Sequence, residues 1–447
     1  EEEEDRISNL SDEILWNILS LLTPKEVVQT SLLSRRWVDL WLSALTVVDF
    51  NTPKVSPARR REFKKWASWV VRQLKGKTSS TSKRSKFRVS FTLSNQYSFD
   101  GDKHEWLKFT ISNLFEYLKL SSSNPVPTPT SDNESYVFPK YCLDNIVTRS
   151  GLSDVKSLRS LRLIHVKVKA RTIEHFITNC PYLEELAVYK SDELVKLKIA
   201  APAAAATASS SSSLSLSLAL KRLEVVRCSF LRSLEIDNVP CLTHFTFEGH
   251  RSVKLRLKNC VSLVDVNIGF DACISSLAFD NISCYAGQLA ALAVIISPMF
   301  HQFSNAVEFV RLERLTVETF GNFDLEIHGL DILIHACPRL HTLRLKVNAR
   351  RPLFRHKGMQ ERNVVEGSHE SIKVVEIIGF NGYPASCRLM EHILDCCVRV
   401  ERIVLRINSS SILISGGGNE QVEEARKRAL EFRSEASPAI DFVIVYQ

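Results

Sequence analysis

The feature that most constrains this chain is a spacing of apolar residues, L-x-x-L-x-L, that recurs from residue 115 to beyond residue 400. The last two apolar positions of each copy alternate as the inward side chains of a β-strand do, and the residues between them point outward. A single copy leaves its leucines uncovered, so each unit must stack on its neighbours. Clear copies begin at Phe115, Leu158, Leu183, Leu194, Leu220, Leu231, Leu242, Leu263, Ile274, Leu312 and Leu340, and weaker copies begin near Ile372 and Val400.

The distance between copies predicts two kinds of coil. The copies at Leu158 and Leu183 are 25 residues apart, with a helical pattern from Thr172 to Asn179 between them. Val253/Leu255/Leu257 fills the gap between Leu242 and Leu263, so from Leu220 to Ile274 the step falls to 10 or 11 residues, which is too short for a strand followed by a helix. We therefore expect a coil of about 22 residues there, with strands on both the concave and the convex sides. This pattern is the signature of leucine-rich repeats.

Eleven cysteines are present, and none of them forms a CxxC pair. Five cysteines lie three residues before an apolar position of the repeat, which predicts small buried apolar side chains rather than disulfides. Free thiols indicate a reducing compartment, so we expect the protein in the cytoplasm and/or nucleus. The five are Cys180, Cys228, Cys260, Cys337 and Cys397.

Three short helices are predicted between Asp5 and Trp41. Ser11 is a candidate N-cap for the first, and Thr23-Pro24-Lys25-Glu26 is a capping box for the second. About forty residues cannot bury all the leucines of this segment together with Trp37 and Trp41 alone. The segment either caps the following domain or offers an apolar helix surface to another protein.

These N-terminal residues resemble the F-box motif in its plant form. The similar phrases run from Asp5 to Leu15, from Ile18 to Leu22 and from Val27 to Trp37. In that family the motif binds the Skp adaptor of a cullin–RING (SCF) ubiquitin ligase, and the resemblance implies the same partner here. One departure is serine in place of the proline of the family's Leu-Pro pair, and a serine can still cap the helix. The resemblance implies adaptor contacts at Leu10, Ser11, Ile14, Ile18, Leu21, Leu22, Val28, Leu33 and Trp37.

Two further resemblances lie beyond the N-terminal helices. Asn179 to Glu184 and Ala336 to Leu340 are similar to the CPxLExL phase of the repeats that follow plant F-boxes. Residues 366–447 resemble the FBD domain of plant F-box/leucine-rich-repeat proteins, with Ser371 to Phe380 as the matching phrase. We expect helices at Cys387–Cys396 and Glu420–Arg433, strands at Val400–Leu405 and Asp441–Val445, and a unit that caps the end of the repeats.

The sequence therefore predicts an α/β protein in four parts. A three-helix F-box (1–50) precedes a basic segment (51–88). An irregular leucine-rich-repeat solenoid (89–365) follows, with a curved parallel sheet and with helices and extra strands on its convex side. Low-complexity insertions at 121–135 and 200–217 interrupt the solenoid, which the FBD-like unit (366–447) caps.

The net charge of +8 comes from one segment of the chain. Thirteen basic residues and one acid, Glu62, lie between Lys54 and Arg88. Pro57 to Leu74 is predicted to be an amphipathic helix, and Lys77 to Lys86 a loop. The segment is interpreted as a solvated basic face or a nuclear-import signal, which makes nucleic acid an unlikely partner. The alternative is a nucleic-acid-associated scaffold that uses residues 54–88.

No catalytic or metal-binding motif is present, so we expect a non-catalytic protein without a cofactor. The most apolar run, Leu289 to Phe300, is too short to span a bilayer, and the acidic start from Glu1 differs from a secretory signal, so no membrane partner is expected. Outward positions of the repeat offer a possible target-binding concave face at Lys196, Lys198, Lys254, Arg256, Lys258, Arg344 and Lys346.

These expectations together describe a substrate receptor. The resemblance implies that the F-box docks the Skp adaptor and that the repeats hold an unknown protein target near a cullin–RING ligase. Besides the nucleic-acid scaffold, a third possibility is an F-box protein that acts outside any ligase.

Overall fold

A computed structural model of the protein describes parts of the N-terminal helices and the repeat region. The described residues are 7, 9–22, 26, 29–30, 33, 36–37, 40, 47–50, 88–93, 116–122, 136–137, 158–200, 218–250, 252–270, 282–295, 307–319, 323–347, 369–407 and 419–446. The chain divides into two compact units, Glu1–Leu231 and Arg232–Gln447. This boundary lies inside the predicted solenoid, and the four predicted domains stay predictions.

Among the described residues of the N-terminal unit, one complete helix precedes the sheet and another lies between its strands. Its elements are α1 (Asp12–Ser20), β1 (Val47–Phe50), β2 (Arg88–Leu93), β3 (Tyr117–Ser122), β4 (Tyr136–Val137), β5 (Ser160–Ile164), β6 (Val166–Lys167), α2 (Ala170–Asn179), β7 (Glu185–Tyr189), β8 (Lys196–Ala200) and β9 (Arg222–Val226). The main sheet is parallel in the order β1-β2-β3-β5-β7-β9. Strands β4 and β6 pair with each other, and β8 belongs to a separate sheet.

The leucines of the repeat stack in register across this main sheet. Leu118 pairs with Leu161, Leu161 with Leu186, and Leu186 with Leu223. All four side chains are buried, because every second residue of each strand faces the interior. The stack confirms the predicted inward positions of the L-x-x-L-x-L pattern.

The C-terminal unit has a main sheet of eight parallel strands. Its elements are β10 (Ser233–Asp237), β11 (His244–Gly249), β12 (Lys254–Lys258), β13 (Asp265–Phe270), β14 (Ala291–Ile295), β15 (Arg314–Thr319), α3 (Phe323–His335), β16 (Thr342–Val347), β17 (Val374–Phe380), α4 (Pro384–Cys396), β18 (Arg402–Ile407), α5 (Asn419–Glu435) and β19 (Asp441–Tyr446). The order of the main sheet is β11-β13-β14-β15-β16-β17-β18-β19.

The short-step copies alternate between two sheets, as predicted. Strand β11 pairs with β13 in the main sheet, whereas β10 pairs with β12 in a second sheet. Each coil of about 22 residues therefore contributes one strand to each sheet. The alternation confirms that a step of 10 or 11 residues carries the chain from one sheet to the other.

Sharp corners follow several of the strands. Five residues other than glycine adopt a left-handed conformation there, with φ between 51° and 55°. The corner amides also join neighbouring coils, since Lys190 N donates to Val226 O at 2.8 Å and Asn238 N to Lys258 O at 3.1 Å. The corner therefore both turns the chain and hydrogen-bonds it to the next coil. The five residues are His165, Lys190, Arg227, Asn238 and Asn259.

The cysteines of the repeat are buried, as the three-residue spacing predicts. The carbonyl oxygen of Cys180 accepts a hydrogen bond from the N–H of Leu183 at 3.0 Å, and Cys337 and Leu340 form the same turn at 3.1 Å. The spacing is thus the geometry of a hydrogen-bonded turn that leads into each strand. Burial raises the pKa of Cys180 to about 12, so its thiol stays protonated.

The C-terminal elements match their sequence expectations closely. The predicted helices are α4 and α5, and the predicted strands are β18 and β19, with bounds that differ by a few residues. Strands β17, β18 and β19 continue the parallel main sheet, so this region ends the repeats by extending them. The repeat copy at Ile274, the predicted helix Pro57–Leu74 and nearly all of both insertions lie outside the described residues.

Helix α5 packs closely against the loop that follows β17. Gly382 has a φ of +70°, and a Cβ atom built there would lie 2.8 Å from the Cα atom of Ala425. The side-chain amide of Gln421 donates to the carbonyl oxygen of Asn381 at 2.9 Å, which fixes the same contact. Only glycine combines this backbone conformation with this close approach.

We predict that Gly382→Ala lowers the free energy of unfolding by about 1–3 kcal/mol, because alanine adds backbone strain and a clash with Ala425. Chemical denaturation followed by circular dichroism measures the change. Gly287→Ala is the control, since a Cβ atom at that position has no heavy atom within 4 Å. Equal stability of the two variants would contradict the packing described.

Candidate functional surfaces

Helix α1 has one apolar side inside the protein and another outside. Leu15 and Leu19 are fully buried. Ile14, Ile18 and Leu21 are 47%, 38% and 86% exposed, and their spacing places them together along one flank of the helix. We call these three residues the exposed flank. Three neighbouring apolar side chains in solvent form a candidate contact surface.

An ion pair holds the start of α1 in place. Arg36 Nη2 lies 2.5 Å from Asp12 Oδ1 and donates a second hydrogen bond to the carbonyl oxygen of Leu10 at 2.8 Å. Ser11 occupies the predicted N-cap position with an extended backbone, but its side chain makes no capping hydrogen bond. The Arg36 guanidinium thus ties the first turn of α1 to the segment that contains the buried Trp37.

The predicted adaptor contacts differ in their exposure. Besides the exposed flank, Ser11 and Leu33 are exposed, Leu10 and Leu22 are half-buried, and Val28 lies outside the described residues. Trp37 is only 2% exposed, so the structure presents it as a core residue and not at a docking surface. The sequence analysis also gives no role to Trp16, whose side chain on the same helix is 42% exposed.

The basic residues predicted on one concave face do not share a face. Lys254, Arg256 and Lys258 lie on β12 in the second sheet, while Arg344 and Lys346 lie on β16 in the main sheet. Lys196 and Lys198 lie on β8, which is also outside the main sheet. The structure therefore divides these residues between two sheets, and target binding at them stays a prediction. The physical reason is the short step, which sends alternate L-x-L copies to different sheets.

The basic row on β12 faces an acidic row on β10. Glu235 is the register partner of Arg256, and Asp237 is the partner of Lys258. Opposite charges on directly paired strand positions stabilise the pairing by a fraction of a kcal/mol. These cations therefore belong to the charge pattern of the second sheet.

A buried glutamate organises the outer face of the main sheet in the C-terminal unit. Glu376 on β17 receives Nε–H hydrogen bonds from Arg344 and from Arg406, each at 2.5 Å. Burial raises the pKa of Glu376, but the hydrogen bonds from Arg406 and Arg344 outweigh it and hold the pKa below its usual value. Arg344 therefore already forms an ion pair with Glu376, and the sequence pattern does not predict this pairing.

The N-terminal unit repeats this arrangement at Glu224 on β9. Arg162 and Arg222 lie 3.8 Å and 4.0 Å from the carboxylate, and the Tyr189 hydroxyl donates a hydrogen bond to it. Burial and the nearby carboxylate raise the pKa of Tyr189 to about 12. In both units, the outer face of the main sheet thus carries a buried glutamate with arginines around it.

A polar cluster lies between α3 and α4. His392 Nε2 is 2.6 Å from Asp331 Oδ1, and the rings of His335 and His369 contact edge-to-face at 4.6 Å. Asp331 Oδ2 and His369 Nε2 are buried without a hydrogen-bond partner, and burial lowers the pKa of His369. Within the described ranges, no group of three such side chains has the arrangement of a metal site.

The basic segment contributes only Arg88, at the start of β2, to the described residues. The nucleic-acid alternative therefore stays a prediction. In the parts of the chain that the structure describes, we found no helix with both the length and the apolar character needed to cross a membrane.

Comparison with known proteins identifies two domains. Residues 7–45 match the F-box domain, and residues 75–446 match the family described as At1g61320/AtMIF1, LRR domain. The second match includes the C-terminal region that resembles an FBD unit, in agreement with the continuous main sheet described above.

Relatives from Arabidopsis thaliana share this organisation. The chain is 31% identical to FBD-associated F-box protein At4g10400 over 44% of its own length and 49% of that protein, so it spans about half of this relative. It is 30% identical to F-box/LRR-repeat protein 25 over 44% of its own length and 72% of that protein. It is 24% identical to F-box/LRR-repeat protein 13 over 92% of its length and 91% of that protein.

We predict that Glu376→Gln lowers the free energy of unfolding at pH 7 by about 2 kcal/mol, because two charge-assisted hydrogen bonds are lost. The half-exposed Arg344 keeps this below the cost of a fully buried pair. The folded-state pKa of Glu376 is depressed, so its contribution is present above about pH 4.5 and is lost as pH falls through the lower folded value.

Denaturation curves at several pH values test this prediction. As pH falls below 4.5, the free energy of unfolding should decrease less in Glu376→Gln than in the parent protein. Glu401→Gln removes an exposed ion pair with Lys373 and should change stability by no more than about 0.5 kcal/mol. A similar effect of both substitutions would show that Glu376 does not organise the outer face.

Proposed function

The chain belongs to the F-box/leucine-rich-repeat family, and from this premise we propose that it is the substrate-recognition subunit of an SCF-type ubiquitin ligase. The F-box would bind the Skp adaptor, and the adaptor would connect the chain to a cullin–RING ligase. The leucine-rich repeats would bind a protein target. The family match supports the domains of this proposal, while the adaptor and the target are proposals for this chain.

The observation that carries the adaptor-binding proposal is the exposed flank of α1. Ile14, Ile18 and Leu21 lie in solvent although Leu15 and Leu19 on the same helix are fully buried. The helix therefore uses one side for its own core and leaves a second apolar side without cover among the described residues. An amphipathic helix of this kind binds a groove in another protein.

Trp37 and Arg36 have supporting roles in this proposal. Trp37 and Leu40 are buried, so they form the interior against which α1 can pack. Arg36 fixes the start of α1 through Asp12 and Leu10. We therefore assign adaptor contact to the exposed flank together with Leu33, and we assign Trp37 to the core that orients it.

Ubiquitin transfer in such an assembly depends on proximity. A receptor that holds the target beside the charged enzyme raises the effective concentration of the acceptor lysine and needs no catalytic group of its own. The polar outer face of the main sheet suits such reversible recognition. Its net positive patches are smaller than the sequence suggests, because Glu376 and Glu224 neutralise neighbouring arginines.

We predict that Ile18→Asp combined with Leu21→Asp abolishes co-purification of the Skp adaptor, because two charges would be buried in an apolar interface. Co-expression of the tagged chain with the adaptor, followed by affinity purification, measures the result. Both positions are exposed, so the variant should fold like the parent by circular dichroism. Trp37→Ala is unsuitable here, since it would open a cavity in the core.

The matched control is Phe230→Asp, which changes an exposed apolar residue in a turn of the same unit. It should retain the adaptor. Unchanged adaptor binding by the Ile18/Leu21 variant would contradict the proposed surface. Adaptor binding without ubiquitin transfer, in a reaction reconstituted with the cullin and charged enzyme, would place the protein outside a ligase.

We also propose a location in the cytoplasm and/or nucleus, on the basis of the free, buried cysteines. Fluorescence imaging of the tagged chain should show one or both compartments. Accumulation of the tagged chain in secretory compartments would contradict this proposal.

A further inference from the structure

Among the described strands, β19 is the last of the main sheet of the C-terminal unit. All six of its residues, Asp441–Tyr446, pair with β18 on one side. On its other side, no strand of the described residues pairs with it. An open strand edge leaves backbone N–H and C=O groups without partners, and a further strand can pair with them.

The register shows which backbone groups face the open edge. The N–H of Asp441 donates to the carbonyl oxygen of Glu401 at 2.9 Å, so Asp441 faces β18. The N–H and C=O of one strand residue point to the same side, and the next residue points to the other. Phe442, Ile444 and Tyr446 therefore present their donors and acceptors to the open edge.

A groove lies beside this edge, between β19 and α5. The side chains of Phe442 and Tyr446 lie on the α5 side of the strand, since Phe442 is buried and the Arg426 guanidinium is 5.0 Å from the centroid of the Tyr446 ring. The groove has a volume of about 500 Å³, and Leu430 and Tyr446 in it are 53% and 49% exposed. It is lined by Glu423, Arg426, Lys427, Leu430, Glu431, Ser434 and Tyr446.

The groove favours an uncharged apolar group. Two acids and two bases line it, so its formal charges cancel, and Glu423 already pairs with Arg426 at 2.6 Å. Glu431 likewise pairs with Arg428 at 3.0 Å. The exposed apolar surface of Leu430 and Tyr446 is then the part of the lining that gains most from being covered.

Arg426 also retains unused hydrogen-bonding capacity. Its Nη1 atom pairs with Glu423, whereas its Nε atom is buried and has no partner within the described residues. A buried donor without an acceptor is unfavourable. This part of the groove is therefore not completed by the chain as described.

We propose that the open edge of β19 is a docking site for an extended segment of a partner protein, which adds as a further strand and places an apolar side chain against Leu430 and Tyr446. The backbone groups of Phe442, Ile444 and Tyr446 supply affinity, and the groove selects apolar residues at alternate positions of the segment. The site uses the C-terminal unit alone, so it does not depend on adaptor binding.

The test uses the full chain and phage-displayed random peptides of about ten residues, which is longer than a typical strand. We expect the enriched peptides to alternate apolar and polar residues. N-methylation of alternate backbone amides in a synthetic peptide should weaken binding about tenfold or more in the register that faces β19. N-methylation in the other register should have little effect, which makes the two peptides matched controls.

Substitutions in the chain complete the test. Leu430→Lys should weaken the same peptides about tenfold, because it places a charge in the groove. Val398→Lys changes an exposed apolar turn residue of the same unit and should leave binding unchanged. Circular dichroism and thermal melting would verify that both variants fold.

Three outcomes would overturn the proposal. The first is a failure to enrich any peptide family that depends on Leu430. The second is binding that is insensitive to the register of N-methylation, which would indicate a helical or purely side-chain contact. The third is a dimer of the chain in sedimentation equilibrium that Leu430→Lys dissociates, because the edge would then serve a second copy.

Discussion

The in-register burial of leucine positions across a parallel sheet is the constraint on which the rest of the structure depends. In the C-terminal unit, Leu292 pairs with Leu315, Leu315 with Leu343, and Leu343 with Val375, and all four are buried. A slip of one residue between any two strands would turn a whole row outward. Because the inward rows fix the register, the outward rows are free to differ between coils and to carry recognition.

The outward rows use that freedom in two ways. At Glu224 and Glu376 they form compact charge clusters, in which a buried carboxylate holds arginines from nearby strands. Elsewhere, as on β12, charged residues alternate with buried ones and face opposite charges on the next strand. A partner of the main sheet therefore meets a surface in which several cations are already engaged, so shape and the remaining exposed groups contribute more than net charge.

Much of this architecture could be predicted from spacing alone. The helix expected at Thr172–Asn179 is Ala170–Asn179, and the step of 10 or 11 residues does place alternate strands on two sheets. Local pattern could not distinguish the copy at Leu194 from the copy at Leu340, because both read L-x-x-L-x-L. Only strand pairing separates them, which is why the basic residues were grouped on one face.

Sequence pattern is equally insufficient to predict which residues of the N-terminal helices are exposed. Periodicity predicts an apolar side for α1, but it does not tell which apolar residues the other short helices cover. The family resemblance implies that Trp37 is a contact residue, but the structure buries it, and no pattern indicates that Trp16 is exposed. The hydrogen bonds from Arg36 to Leu10 and Asp12 join residues more than twenty positions apart, and no local signal in the sequence indicates such a pair.

The buried cysteines of the repeat can report on local unfolding of the coils. Burial raises the pKa of Cys228 to about 11 and of Cys180, Cys337 and Cys397 to about 12, so these thiols stay protonated at neutral pH. Alkylating reagents therefore reach these sulfur atoms only when the surrounding coil unfolds. The chain thus carries its own set of reporters, spaced along both units, for measuring which coils separate first.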